Sequence, residues 1–219
     1  MTRTQDQLDV HANQPVLTVG PPLDKVAGAI ILIHGRGASA DDILSLYNEL
    51  DAQDFAALAP QAAGYTWYPY SFLSPLERNQ PYLDSALRRL QTLVEDLLQR
   101  GISSERIVLG GFSQGACLTT EFVARNPRRY GGVLGLSGGL IGPPGTPRNY
   151  SGELSGTPVL LGCSDVDPHI PWERVEETAH VLKKMGASVD LRQYPGMPHT
   201  INQDEIDACR TILRNVQRK

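Results

Sequence analysis

Three residue types that together support acyl transfer occur in order along this chain. They are Ser113 in Gly111-Phe112-Ser113-Gln114-Gly115, an aspartate at 165 or 167, and His199 in Gly196-Met197-Pro198-His199-Thr200. A serine hydroxyl is a poor nucleophile at neutral pH and attacks a carbonyl only as a base removes its proton. An imidazole held in one tautomer by a carboxylate supplies that base. Attack on an ester leaves negative charge on the carbonyl oxygen, and each backbone N–H aimed at it is worth ~3 kcal/mol in a site shielded from water. Gln114, directly after the serine, and Arg36, in the glycine-flanked turn Gly35-Arg36-Gly37, are the candidate donors. Asp167 is favoured as the acid because Pro168 holds it extended and leaves its side chain room to turn inward; Asp165 is the alternative.

These residues are useful only if elements deliver them to one place. The apolar run ending at Gly110 reads as a strand, and Ala116 to Arg125, closed by Asn126-Pro127, reads as a helix. Ser113 therefore falls on a strand-to-helix elbow, where a side chain at Gly111 or Gly115 would collide with neighbouring backbone. Ala29–Ile33 is continuously apolar, as suits a central parallel strand, and it delivers Arg36. Further strands are expected at Val16–Val19 (an edge strand), Phe55–Leu58, Val133–Leu136, Pro158–Leu161 and Val189–Tyr194. Helical spacing links Ile43, Leu46 and Leu50; Leu83, Leu87, Leu90, Val94 and Leu97; Val175, Ala179 and Leu182; and Ile206, Cys209, Leu213 and Val216. Alternation of this kind predicts one α/β domain with a mainly parallel sheet and helices on both faces, spanning residues 25–219 behind an N-terminal tail, residues 1–24. Residues 138–157 are too rich in glycine and proline for a helical lid. Sites in such sheets lie beyond the carboxyl ends of the strands, and Arg36, Ser113, Asp165, Asp167 and His199 each follow a predicted strand.

Tyr65, Trp67, Tyr68, Tyr70 and Phe72 crowd one proline-broken loop in a chain only 6% aromatic, which predicts a substrate-pocket wall. Ordinary packing or a homodimer contact is the alternative. The 219 residues are 41% hydrophobic, carry a net charge of −4 and show no stripe of Lys or Arg, so neither nucleic acid nor a membrane surface is an expected partner. No signal-peptide pattern opens the chain, and three widely spaced cysteines, Cys117, Cys163 and Cys209, argue for a reducing compartment and a cytoplasmic protein. His169 lies beside Asp167, but no second cluster has ligand spacing, so no metal and no cofactor are expected. His11 and His180 read as structural or surface residues and His34 as a support for the turn behind it. Cys117 and Cys163 read as core residues rather than nucleophiles.

Ile33-His34-Gly35-Arg36-Gly37, Gly110-Gly111-Phe112-Ser113-Gln114-Gly115, Leu136-Ser137-Gly138-Gly139, Asp167-Pro168-His169-Ile170-Pro171 and Tyr194-Pro195-Gly196-Met197-Pro198-His199 resemble the successive signature blocks of the phospholipase/carboxylesterase family of α/β-hydrolases. The resemblance implies a single-domain, lidless α/β-hydrolase fold. It also implies Ser113 as nucleophile, Asp167 as acid, His199 as base and the amides of Arg36 and Gln114 as the oxyanion hole. Arg36 stands where the thioesterase branch has an apolar residue, Trp67-Tyr68-Pro69 lacks a following aspartate, and Gly162-Cys163 replaces a His-Gly pair. The expectation is a serine carboxylesterase acting on small to medium esters. Long-chain lysophospholipase or acyl-protein thioesterase activity, and a catalytically silent binding fold, are the alternatives. The Arg36 cation further predicts a preference for acyl groups with a carboxylate or other polar end.

Overall fold

The apolar run at Ala29–Ile33 lacks polar alternation because both of its faces are covered. In the computed structural model, which describes residues 9–217, it forms β2 (Gly28–Ile33), buried throughout. Ala29, Ile31 and Ile33 join one apolar cluster and Ile30 and Leu32 another. The other strands are β1 (Val16–Val19), β3 (Phe55–Pro60), β4 (Ile107–Phe112), β5 (Gly132–Leu136), β6 (Pro158–Ser164) and β7 (Ser188–Tyr194). They form one sheet in the order β1-β3-β2-β4-β5-β6-β7. β1 runs antiparallel to β3, and every other neighbouring pair is parallel.

Helices cover the two faces separately. The first cluster takes its helical residues from α3 (Tyr82–Gln99), α4 (Gln114–Arg125) and α5 (Trp172–Lys184). The second draws on α1 (Ala40–Leu44), α2 (Leu46–Glu49) and α6 (Gln203–Gln217). The spacing at 43, 46 and 50 predicts one helix, and the structure has two. Ser45 ends α1 by donating its N–H and its hydroxyl to the Asp42 carbonyl, which breaks the regular ladder. Ser39 starts α1 with a capping box completed by Asp42.

Sheet order reverses beside β2, since the chain passes from β2 to β3 on one side and then returns to β4 on the other. That switch point opens a crevice beyond the carboxyl ends of β2 and β4, where Arg36 and Ser113 lie.

One carboxyl is enclosed in the second face. Asn202 and Glu205 cap α6 reciprocally: Asn202 Oδ1 accepts the Glu205 N–H at 2.9 Å, and Glu205 Oε2 accepts the Asn202 N–H at 3.0 Å. Glu205 Oε1 is buried without a hydrogen-bond partner. Burial pushes the carboxyl up to about 7, reinforced by Asp204 and opposed by the Asn202 hydrogen bond and Arg192. The folded chain therefore binds a proton here that the unfolded chain has released, so stability declines as pH rises from the ordinary carboxyl range to about 7 and then levels off. Glu205→Gln keeps the cap and removes the titration. Urea midpoints compared at about pH 5 and about pH 8 are expected to show a wild-type decline worth up to about 3 kcal/mol that the variant lacks. An equal decline in both proteins would assign the titration to other groups.

Candidate active site

β4 stops at Phe112 and α4 begins at Gln114, leaving a single residue to make the corner. Ser113 makes it with φ 57° and ψ −119°, a conformation that L-residues rarely adopt, held by its N–H donating to the Leu136 carbonyl at 2.9 Å. The flanking glycines are a steric necessity. A Cβ on Gly111 would lie 2.4 Å from the Gly115 carbonyl carbon, and one on Gly115 would lie 2.1 Å from the Ile33 oxygen. Helix and strand approach this closely only without those side chains.

Around the corner the side chains form a hydrogen-bonded line. Ser113 Oγ donates to His199 Nε2 at 2.9 Å, and His199 Nδ1 donates to Asp167 Oδ2 at 2.6 Å. Asp167 Oδ1 accepts the N–H groups of His169 at 2.8 Å and Ile170 at 3.0 Å. Burial alone would raise this carboxyl. The His199 hydrogen bond, those two amides and the imidazole's charge outweigh it and hold Asp167 below the ordinary carboxylate range. The carboxylate thus stays ionised and fixes the tautomer that leaves Nε2 free to accept. The His199 ring packs on Phe112, with centroids 4.8 Å apart, and meets the edge of His169 at 4.9 Å.

Asp165 lies elsewhere. It is exposed, and its Oδ1 accepts the Gly196 N–H at 2.8 Å, which ties down the loop carrying His199. β6 runs three residues past the expected end at Leu161, so Asp165 falls immediately after its last residue, Ser164, and turns outward while Asp167 turns in.

Among the described residues no acceptor bonds the backbone N–H of Arg36 or of Gln114. Both residues line, with Ser113 and His199, a cleft of about 620 Å³. The N–H of Gln114 also lies at the start of α4, where helical amides favour negative charge.

The aromatic loop divides. Tyr68, Tyr70 and Phe72 line the cleft beside Cys117 and Ile170. Trp67 and Tyr65 do not, which corrects the expectation that all five form the wall. Trp67 is fully buried behind the site, its indole N–H donating to the His34 carbonyl at 2.9 Å and its ring against His34 and His11. Tyr65 sits in the left-handed region at φ 59° and points to solvent.

The supporting histidines are buried and neutral. His34 donates from Nδ1 to the Gly35 carbonyl at 2.7 Å and accepts the Ala62 N–H on Nε2 at 3.1 Å. His11 accepts the Ala63 N–H at 3.0 Å and donates to the Trp67 carbonyl at 3.1 Å. Burial lowers both pKa values. His11 joins the N-terminal segment to the aromatic loop, and nothing in the sequence around it signals that contact. The cysteines are free, and burial pushes the thiols of Cys117 and Cys163 up to about 12, so both stay protonated. Among the described residues no three His, Cys, Asp or Glu side chains gather in a metal-binding arrangement, and no helix is long and apolar enough to cross a membrane.

A family model described as Phospholipase/Carboxylesterase matches residues 14–217. A solved phospholipase/carboxylesterase from Dyadobacter fermentans superposes with a TM-score of 0.89 at 44% identity, over 92% of this chain and 97% of that one. Acyl-protein thioesterase 1 of Gibberella zeae is 35% identical over 128 residues, 56% of this chain, and the match spans about half of that relative, 53%. Acyl-protein thioesterase 1 of Debaryomyces hansenii is 24% identical over 94% of this chain and 98% of its own length.

Proposed function

Since the chain belongs to the phospholipase/carboxylesterase family, an α/β-hydrolase group, we propose that it is a serine esterase that hydrolyses small to medium carboxylic esters through an acyl-enzyme on Ser113. The observation that carries this reading is the line Ser113–His199–Asp167, joined at 2.9 and 2.6 Å, at the edge of a cleft with two unbonded amides.

In this reading Ser113 Oγ attacks the ester carbonyl while His199 Nε2 takes its proton. The carbonyl oxygen gains negative charge and is met by the N–H groups of Arg36 and Gln114. Asp167 stabilises the imidazolium that forms. The tetrahedral species collapses as its bond to the alkoxy oxygen breaks, and His199 returns the proton to the departing alcohol. Water then enters, gives a proton to Nε2 and attacks the acyl carbon, and the acid leaves as Ser113 recovers its proton.

The small-ester preference rests on the buried part of the cleft lining. Tyr68, Phe72 and Cys117, all buried, belong to it, and over the Phe72 ring stands the Arg174 guanidinium, 5.8 Å from the ring centre and held by the carbonyls of Leu140 and Gly142. A buried cation held this close to a wall residue disfavours a long apolar chain beside it. The relatives named as acyl-protein thioesterases favour the second reading, long-chain thioester hydrolysis. The three free, buried cysteines suit a reducing compartment, and we assign the protein to the cytoplasm on that ground.

Hydrolysis of p-nitrophenyl esters from acetate to palmitate, with a palmitoyl thioester alongside, tests the proposal. We expect kcat/KM to peak on short esters. A peak on palmitate or on the thioester would replace the small-ester reading by the long-chain one, and no turnover in either series would favour a silent fold.

A further inference from the structure

Arg36 is exposed at the cleft, and among the described residues no carboxylate pairs with it. Both of its terminal nitrogens are nevertheless engaged. Nη1 donates to Thr66 Oγ1 at 3.0 Å and to the Pro69 carbonyl at 2.9 Å; Nη2 donates to the carbonyls of Tyr68 at 2.9 Å and Tyr70 at 2.7 Å. Each terminal N–H therefore has its own acceptor in one short stretch of the aromatic loop.

Gln114 grips the same stretch from the start of α4. Its Nε2 donates to the Tyr68 carbonyl at 2.9 Å and its Oε1 accepts the Trp67 N–H at 2.9 Å. The Tyr68 carbonyl is thus shared: the side chains of two residues whose backbone amides face the cleft both donate to one oxygen.

The two amides differ in how they are held. That of Gln114 is fixed by the first turn of α4. That of Arg36 belongs to an exposed turn containing Gly37 at φ 78°, and backbone bonding ties this turn to the aromatic loop only through the Gly37 N–H, which donates to the Tyr65 carbonyl at 2.8 Å. The Gly35 carbonyl, on the same peptide unit as the Arg36 N–H, is held by His34 Nδ1 at 2.7 Å and by the Ala38 N–H at 3.3 Å, but toward the aromatic loop this glycine-flanked turn keeps conformational freedom. Four charge-assisted bonds to a segment that is itself bonded to the elbow remove that freedom.

We propose that Arg36 is a positioning residue: its guanidinium uses residues 66–70 as a strut, which Gln114 also grips through the Trp67 N–H and the shared Tyr68 carbonyl, to fix the spacing of the two amides that receive the oxyanion. This inference rests on the serine-esterase reading above. It also replaces the expectation of an acyl-carboxylate receptor, because the terminal N–H groups such a receptor would offer are committed to three carbonyls and the Thr66 hydroxyl. Lysine cannot do the same work, since an ammonium has no planar fork to span four acceptors.

The test compares wild type, Arg36→Leu and Arg36→Lys on p-nitrophenyl hexanoate and on mono-p-nitrophenyl adipate, a neutral and an anionic ester of equal acyl length. Binding of an alkyl boronic acid, which forms a tetrahedral adduct on the serine, is measured in parallel. Misplacing one oxyanion donor without deleting it predicts that kcat falls about 10- to 100-fold on both esters in equal proportion, with KM nearly unchanged. Boronate affinity should fall by a similar factor, and lysine should not rescue it. A loss confined to adipate, or full activity of Arg36→Lys, would overturn the proposal in favour of simple charge recognition. Unchanged kcat on both esters would overturn it outright. Fluorophosphonate labelling of the wild type keeps the two levels apart: if the wild type neither turns over ester nor takes the label, the esterase reading fails and this inference falls with it.

Discussion

Ser113→Ala is expected to lower kcat for ester hydrolysis by up to ~10⁶-fold, the scale on which removal of a triad serine acts, with KM nearly unchanged. The argument is geometric. Among the described residues His199 Nε2 has a single side-chain partner, the Ser113 hydroxyl at 2.9 Å, and no second nucleophile bonds it. The nearby thiols do not substitute for it: Cys117 is buried in α4, Cys163 lies in β6, and both are protonated. The fold should tolerate the change, because alanine removes only the hydroxyl and meets no more crowding than serine. The left-handed backbone at 113 already accommodates a Cβ. Stopped-flow or steady-state release of p-nitrophenol measures the loss. A residual rate within about a hundredfold of wild type would mean that another group performs the attack.

Asp167→Asn is expected to lower kcat by ~10⁴-fold, and Asp165→Asn by less than about tenfold. An asparagine at 167 presents an NH₂ where the carboxylate presented only acceptors. Turned toward His199, that NH₂ selects the tautomer with the proton on Nε2, which cannot take a proton from Ser113. It also removes the charge that stabilises the imidazolium. At 165 the native contact is an accepted hydrogen bond from the Gly196 N–H, and the amide oxygen of asparagine makes the same bond. Measured kcat values for the two variants decide the acid, and the reverse order would assign it to Asp165.

Much of this arrangement is legible in the amino-acid order because local physics dictates it. β2 and β4 announce themselves by unbroken apolar runs, since strands covered on both faces have no solvent side to signal. The elbow is legible because Gly111 and Gly115 are demanded by close backbone approach, which only glycine permits. Asp167 could be preferred over Asp165 from Pro168 alone; the His199 Nδ1–H donates to its Oδ2 at 2.6 Å. The missing information concerns contacts between distant segments. Whether Trp67 lines the cleft or stands behind it depends on the His34 carbonyl, 33 residues away, which accepts its indole N–H. No periodicity near Trp67 encodes that. The strut made by Arg36 is equally hidden, since an arginine between two glycines reads as a surface turn until the carbonyls of residues 68–70 are brought beneath it. The split of α1 from α2 is hidden for a simpler reason: spacing reports which side of a helix is buried, not that Ser45 interrupts the ladder.

The most direct test of the account is the site of covalent capture. The wild-type protein is treated with a fluorophosphonate probe, digested, and the modified peptide sequenced by mass spectrometry, with Ser113→Ala as the control. The account predicts one phosphonyl group per chain, carried by Ser113 and absent from the variant. An adduct on any other residue, or none on a wild-type protein that hydrolyses ester, would contradict it.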